Sequence, residues 1–180
     1  MSNIDYEAEP LSRANIRDYA TNIRAAIGFD QTPYIPIGDL LEFVLPRVMP
    51  DFFWDVWEKQ QMGASHGLAN PDTNSVILRN DVYVGACNGV GRDRFTVIHE
   101  IGHLLLHHKD RLSLRRAVGK PKVYRDPEWQ ANCFAGEFLV SHKLVNQFHN
   151  VLEVSSAFGV SMDAARKQLK EFAKNGIWQK

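Results

Sequence analysis

Between Ser12 and Gly28 the apolar residues Ile16, Tyr19, Ala20, Ile23 and Ile27 fall three or four positions apart, the period of one helix face. Ser12 is placed to cap this helix and Gly28 to end it. After a turn at Pro33–Pro36, Ile37 to Leu45 predicts a second helix, cut by Pro46. Phe52, Phe53, Trp54, Val56 and Trp57 crowd aromatic and apolar surface together, which predicts a core cluster. From Met62 to Val84 the pattern turns to β-structure, with Asn70-Pro71-Asp72 as a turn and Val76-Ile77-Leu78 as a short apolar run. Gly85, Gly89 and Gly91 then mark a flexible connection. No Lys-Ser/Thr follows them, which argues against a phosphate loop.

Arg92 to His108 predicts a helix of another kind. Phe95, Val97, Ile98, Ile101, Leu104, Leu105 and Leu106 make it apolar nearly all round, the mark of a central, buried element. One polar stripe runs through it: Thr96, His99, Glu100, His103 and His107. Buried polar groups are costly without partners, so the stripe asks for one. Lys109 to Arg125 is a basic connector with seven Lys or Arg against one acid, Asp110, read as a solvated loop. Asp126-Pro127 opens the next helix, as N-cap and first-turn residue. Glu128, Asn132, Ala135 and Leu139 form one face of it. From about Val151 two short helices flank Phe158-Gly159-Val160-Ser161; Ser161 caps the last, which turns Ala164, Ala165, Leu169 and Phe172 inward.

The chain has 180 residues, 44% of them hydrophobic and 23% charged, with zero formal net charge. That fits a single domain with its own core: N-terminal helices over 1–60, a central unit over 61–142 and a helical, helix-turn-helix-like tail over 143–180. Neutrality gives no general electrostatic pull toward nucleic acid. The start, Met1-Ser2-Asn3-Ile4-Asp5, lacks the apolar stretch of a signal peptide, and no apolar run is long enough to span a bilayer. Cys87 and Cys133 show no framework spacing and read as free thiols. A cytoplasmic protein is the expectation.

His99-Glu100-Ile101-Gly102-His103 carries the chemistry. On a helix the two histidines lie one turn apart on one face, close enough to bind one ion, and Glu100 projects beside them as a base. A catalytic zinc site needs a third protein ligand. His107 stands about 12 Å of helix rise from His99, too far for both to reach one ion. Leu106 and Lys109 occupy the positions where an extended motif would place Gly and His. The third ligand must therefore come from another helix. Glu128 is the strongest candidate, with Asn132 one turn on to brace a histidine ring; Glu137 is a weaker one, and Asp126 is better used as the cap.

The runs from Arg92 to His107 (R-D-R-F-T-V-I-H-E-I-G-H-L-L-L-H) and from Glu128 to Leu139 (E-W-Q-A-N-C-F-A-G-E-F-L) resemble the ImmA/IrrE family of metallopeptidases. The resemblance covers roughly residues 60 to 170 and departs at Val140-Ser141, where many members read Met-Pro. It implies an α+β, zincin-like fold with a small, mostly antiparallel sheet packed on a central HExxH helix, between additional N- and C-terminal helices. It also implies zinc held by His99, His103 and Glu128, with Glu100 as catalytic base. Mn²⁺ or Fe²⁺ would accept the same ligands. The implied activity is endopeptidase cleavage of a helix-turn-helix repressor or antitoxin. An extended substrate would pair with an edge strand near Ile77–Arg79. Tyr124, His142 and His107 are candidates for stabilising the oxyanion. The rival from another class is a non-proteolytic zinc-containing toxin or repressor-binding protein. Direct nucleic-acid binding through Arg166, Lys167, Lys170 and Lys174 is disfavoured, because Asp163 and Glu171 interleave with them.

Overall fold

A computed structural model describes residues 6–107, 115–116 and 121–179. A short strand, β1 (Tyr6–Glu7), precedes α1 (Arg13–Ala26). Ser12 caps α1 as expected, its Oγ accepting from the Asn15 amide at 3.1 Å. Ile16 and Ala20 turn inward, and Gly28 takes the positive φ of 80° that reverses the chain. The second helix does not stop at Pro46. α2 (Ile37–Asp39), a π-helical turn (Leu40–Val44) and α3 (Leu45–Val48) follow one another without a break. The wider turn bonds the Leu45 amide to the Leu40 carbonyl. It thereby opens the backbone where a proline ring would otherwise strike the preceding turn.

The aromatic cluster is core only in part: Phe52 and Trp54 join the core, while the strand itself lies at the sheet's edge. β2 (Phe53–Trp57) follows α3; Phe52, just before it, is buried, but Phe53 is 56% exposed. After α4 (Lys59–Met62) come β3 (Gly67–Asn70) and β4 (Ser75–Arg79). The three strands form a mixed sheet in the order β2-β4-β3. β4 runs parallel to β2, with Phe53 opposite Ser75 and Trp57 opposite Arg79. It runs antiparallel to β3, with Gly67 opposite Leu78. Asn70 Oδ1 accepts from the Asp72 amide at 3.0 Å in the expected hairpin turn.

β-structure ends at Arg79, not near Val84. Asn80 opens α5 (Asn80–Cys87), where Asp81 favours the helix N-terminus. Gly85 is a helical residue under the Asp93 side chain, and Gly91 starts α6 (Gly91–Leu106). Most of the basic connector lies outside the described residues. Within it, β5 (Arg115–Arg116) pairs antiparallel with β1. A 3-10 turn (Val123–Arg125) leads to α7 (Pro127–Leu139), capped by Asp126 as expected. Val140 is extended, so the helix ends where the family pattern is departed from. A second 3-10 turn (Val145–Gln147), α8 (Val151–Phe158) and α9 (Met162–Lys174) complete the chain, with Ser161 capping α9.

α6 lies between the sheet and α7. Val97, Ile98, Ile101 and Leu104 are buried along it. Gly102 sets the α6–α7 distance: a Cβ there would stand 3.0 Å from Phe134 Cδ1 and 3.3 Å from the Ala131 carbonyl oxygen. Any larger residue would wedge the two helices apart. α1 packs on α7, where the wholly buried Glu137 carboxylate pairs with Arg17 Nε at 2.9 Å and Arg13 Nη1 at 3.3 Å. The tail joins this core through Arg94 on α6, buried and stacked 3.9 Å from the Tyr34 ring. Its guanidinium donates to the carbonyls of Gly159 (2.6 Å) and Phe158 (3.2 Å). Among the described residues no helix is long and apolar enough to cross a membrane.

Candidate active site

The close approach at Gly102 brings His99 and His103 on α6 against Glu128 in the first turn of α7. Their inner atoms form a triangle. His99 Nε2 and His103 Nε2 are 3.0 Å apart, His103 Nε2 stands 3.1 Å from Glu128 Oε1, and His99 Nε2 stands 3.3 Å from Glu128 Oε2. Ligand atoms held tetrahedrally at about 2.1 Å from one ion are about 3.4 Å apart, so this donor set fits a small divalent cation. These three residues could hold a metal ion. Without one, two imidazole nitrogens and a carboxylate crowd together with only protons to separate them. Hydrogen bonds from His103 and His99 hold the Glu128 carboxyl well below the usual carboxylate range. Burial alone would lower the His99 pKa; the Glu128 hydrogen bond and nearby acidic charge outweigh it and raise it.

Glu100 projects from the adjoining face of α6, toward the sheet. Burial raises the Glu100 pKa above the ordinary value, against the opposing pull of His99, His103 and the nearby Ala69 backbone of β3. A raised carboxyl pKa suits a group that must take up and release a proton near neutrality. Gly67 makes room for it: a Cβ at that position would lie 2.6 Å from Glu100 Cγ.

Asn132 sits where expected, its Oδ1 3.2 Å from His99 Nδ1. The remaining expectations fare differently. β4 is the central strand, with both edges taken by β2 and β3, so Ile77 and Arg79 cannot pair with a substrate. Arg79 is buried and turns to Asp81, at 2.6 Å. Among the described residues β2 and β3 hold the sheet's free edges, and β3 is the one that borders Glu100. His142 lies beyond the far end of α7, which itself rises about 17 Å from Glu128, and contacts Thr21 Oγ1 at 3.4 Å. His107 is 4% exposed, buried behind His103, and burial lowers its pKa to about 4. Tyr124 is 41% exposed on the 3-10 turn four residues before Glu128. Sequence reasoning missed Gly67 and Ala69, since a glycine and an alanine in a short strand carry no chemical signature.

A groove of about 780 Å³ lies behind the triangle and meets it only through Asn132; its lining also includes Thr96, Trp129, Gly136 and Lys170. On the tail helix Lys167 pairs with Asp163 at 2.8 Å and Lys174 with Glu171 at 2.7 Å, which neutralises half of its basic side.

The family profile of the IrrE N-terminal-like domain, a peptidase family, matches residues 58–170 and so spans both helices of the triangle. The chain belongs to this family. Comparison with curated proteins finds no match. For an IrrE N-terminal-like peptidase the fold is accounted for: a small sheet against the HExxH helix, with helices before and after. Peptidase membership implies a polypeptide substrate. Both cysteines are free thiols, Cys87 exposed and Cys133 buried.

Proposed function

We propose that the protein is a zinc-dependent endopeptidase of the cytoplasm, and that its substrate is a helix-turn-helix repressor or antitoxin. The observation that carries the catalytic part is the triangle of His99, His103 and Glu128 with a buried carboxylate, Glu100, on the adjoining face of the same helix. A structural metal site needs no such base. A divalent ion held there lowers the pKa of water and polarises a carbonyl. Glu100 accepts the proton that the attacking water gives up and returns it to the leaving amine. Asn132 holds the His99 ring from behind. An extended substrate adds to the open edge of β3, where backbone pairing brings its carbonyl past Glu100. Free cysteines support a reducing compartment, and the ImmA/IrrE resemblance supports the choice of substrate.

The test is Glu100→Gln, an isosteric change that removes the base and leaves all three ligands. Incubated with zinc and a repressor encoded beside it, the wild-type protein is expected to cut; the variant is expected to bind the same zinc and cut nothing. Cleavage by the variant would refute the assigned base. Zinc and repressor bound by the wild-type protein with no cut product would favour the non-proteolytic reading instead.

A further inference from the structure

Behind the triangle a second set of contacts runs inward and leaves no freedom in its hydrogens. Gln130, fully buried on α7, donates from Nε2 to the backbone carbonyls of Glu9 and Tyr124, both at 2.8 Å. Carbonyl oxygens only accept, so the amide nitrogen is pinned to that side and Oε1 to the other. Oε1 lies 3.0 Å from His107 Nε2. An amide oxygen also only accepts, so His107 Nε2 carries a hydrogen. His107 is 4% exposed, and no carboxylate hydrogen-bonds to it among the described residues, so it is neutral and its Nδ1 is bare. That bare nitrogen stands 3.3 Å from His103 Nδ1. The contact is attractive only if His103 Nδ1 donates.

We propose that His107 and Gln130 are positioning residues: a buried relay that fixes a hydrogen on Nδ1 of His103 and turns Nε2 toward the metal triangle. An isolated imidazole prefers the opposite tautomer, with hydrogen on Nε2, which would block ligation. With Nδ1 committed inward, the only hydrogen left on the ligand side is the one Nε2 shares with Glu128 at 3.1 Å, and an arriving ion would displace that proton to solvent. His99 is treated differently. Its support, Asn132, is exposed on the groove and can present either end of its amide. The two ligands are thus unequal, one locked from the interior and one adjustable from solvent. The lock also ties backbone ahead of α1 (Glu9) and ahead of α7 (Tyr124) to one ligand of the site. What the relay is for rests on the metal reading above; whether it exists does not.

Long-range ¹H–¹⁵N correlation of metal-free, histidine-labelled protein at mildly alkaline pH reads each tautomer directly. The expected pattern is hydrogen on Nδ1 of His103 and on Nε2 of His107; a His103 ring with bare Nδ1 overturns the proposal. Zinc competition against a chelator then compares His107→Phe, which cannot accept, with His107→Asn, whose Oδ1 can stand where Nδ1 stood. His107→Phe is expected to weaken zinc binding roughly 10- to 100-fold, the usual effect of losing such support, and His107→Asn to recover most of it. Equal losses in both variants would show a packing effect and overturn the relay; if either variant fails to fold, the wild-type spectrum decides. Correct tautomers in a protein that binds no zinc would instead overturn the metal reading and leave the relay standing.

Discussion

Gly67→Ala is the sharpest probe of how the sheet serves the site. The new Cβ would stand 2.6 Å from Glu100 Cγ, 3.0 Å from Cδ and 3.1 Å from Oε1. Ordinary carbon–carbon contact is about 3.5 Å, so Glu100 and β3 must part by about 1 Å. The clash falls on the stem of the side chain, which cannot swing clear as a free end could. A misplacement of about 1 Å in a reacting group costs on the order of 10²-fold in rate, equivalent to about 3 kcal/mol of transition-state stabilisation. The three ligand residues sit on α6 and α7 and are untouched, so zinc affinity is expected to stay at the wild-type value. Turnover of the best-cut member of a fluorogenic peptide library, with zinc content measured on the same samples, separates the two effects. Full turnover in a stably folded Gly67→Ala protein would refute the placement of Glu100 against β3.

Other consequences are as direct. Glu137→Ala strands Arg13 and Arg17 beside an empty, fully buried carboxylate position. Because both guanidiniums reach some solvent, the cost is expected at the low end for a broken buried pair, about 3 kcal/mol, read by urea unfolding. Acid should destabilise the metal-free protein through His107. Its folded pKa is lowered to about 4 by burial, while in the unfolded chain it titrates near 6.5. The unfolded state therefore binds more protons between those values, and stability falls as pH drops through that window, by about 2 kcal/mol at about pH 5. His107→Asn should lose less over the same range; an equal loss would contradict a neutral, buried His107.

Where the chain's chemistry followed helical spacing, it was legible beforehand. His99, His103 and the stripe between them follow from a period of three to four, and Asp126-Pro127 announced the helix that presents Glu128. Asn132 could be placed because it repeats the face of Glu128. What escaped were features set by tertiary contact. Pro46 signals a stop, but a π-helical turn carries the helix past it. The Phe53–Trp57 run is apolar enough for a core, yet sheet order leaves it at an edge. That same order, invisible along the chain, gives the open edge beside Glu100 to β3 and closes both edges of β4. Gln130 belongs to the site only through backbone carbonyls at two distant points of the chain.

The central claim is that one ion joins α6 to α7. A crystal of zinc-reconstituted protein, with anomalous data collected on both sides of the zinc edge, tests it most directly. One peak is expected at full occupancy, about 2.1 Å from His99 Nε2, His103 Nε2 and a Glu128 oxygen. No peak there, or an ion bound without Glu128, would contradict the account.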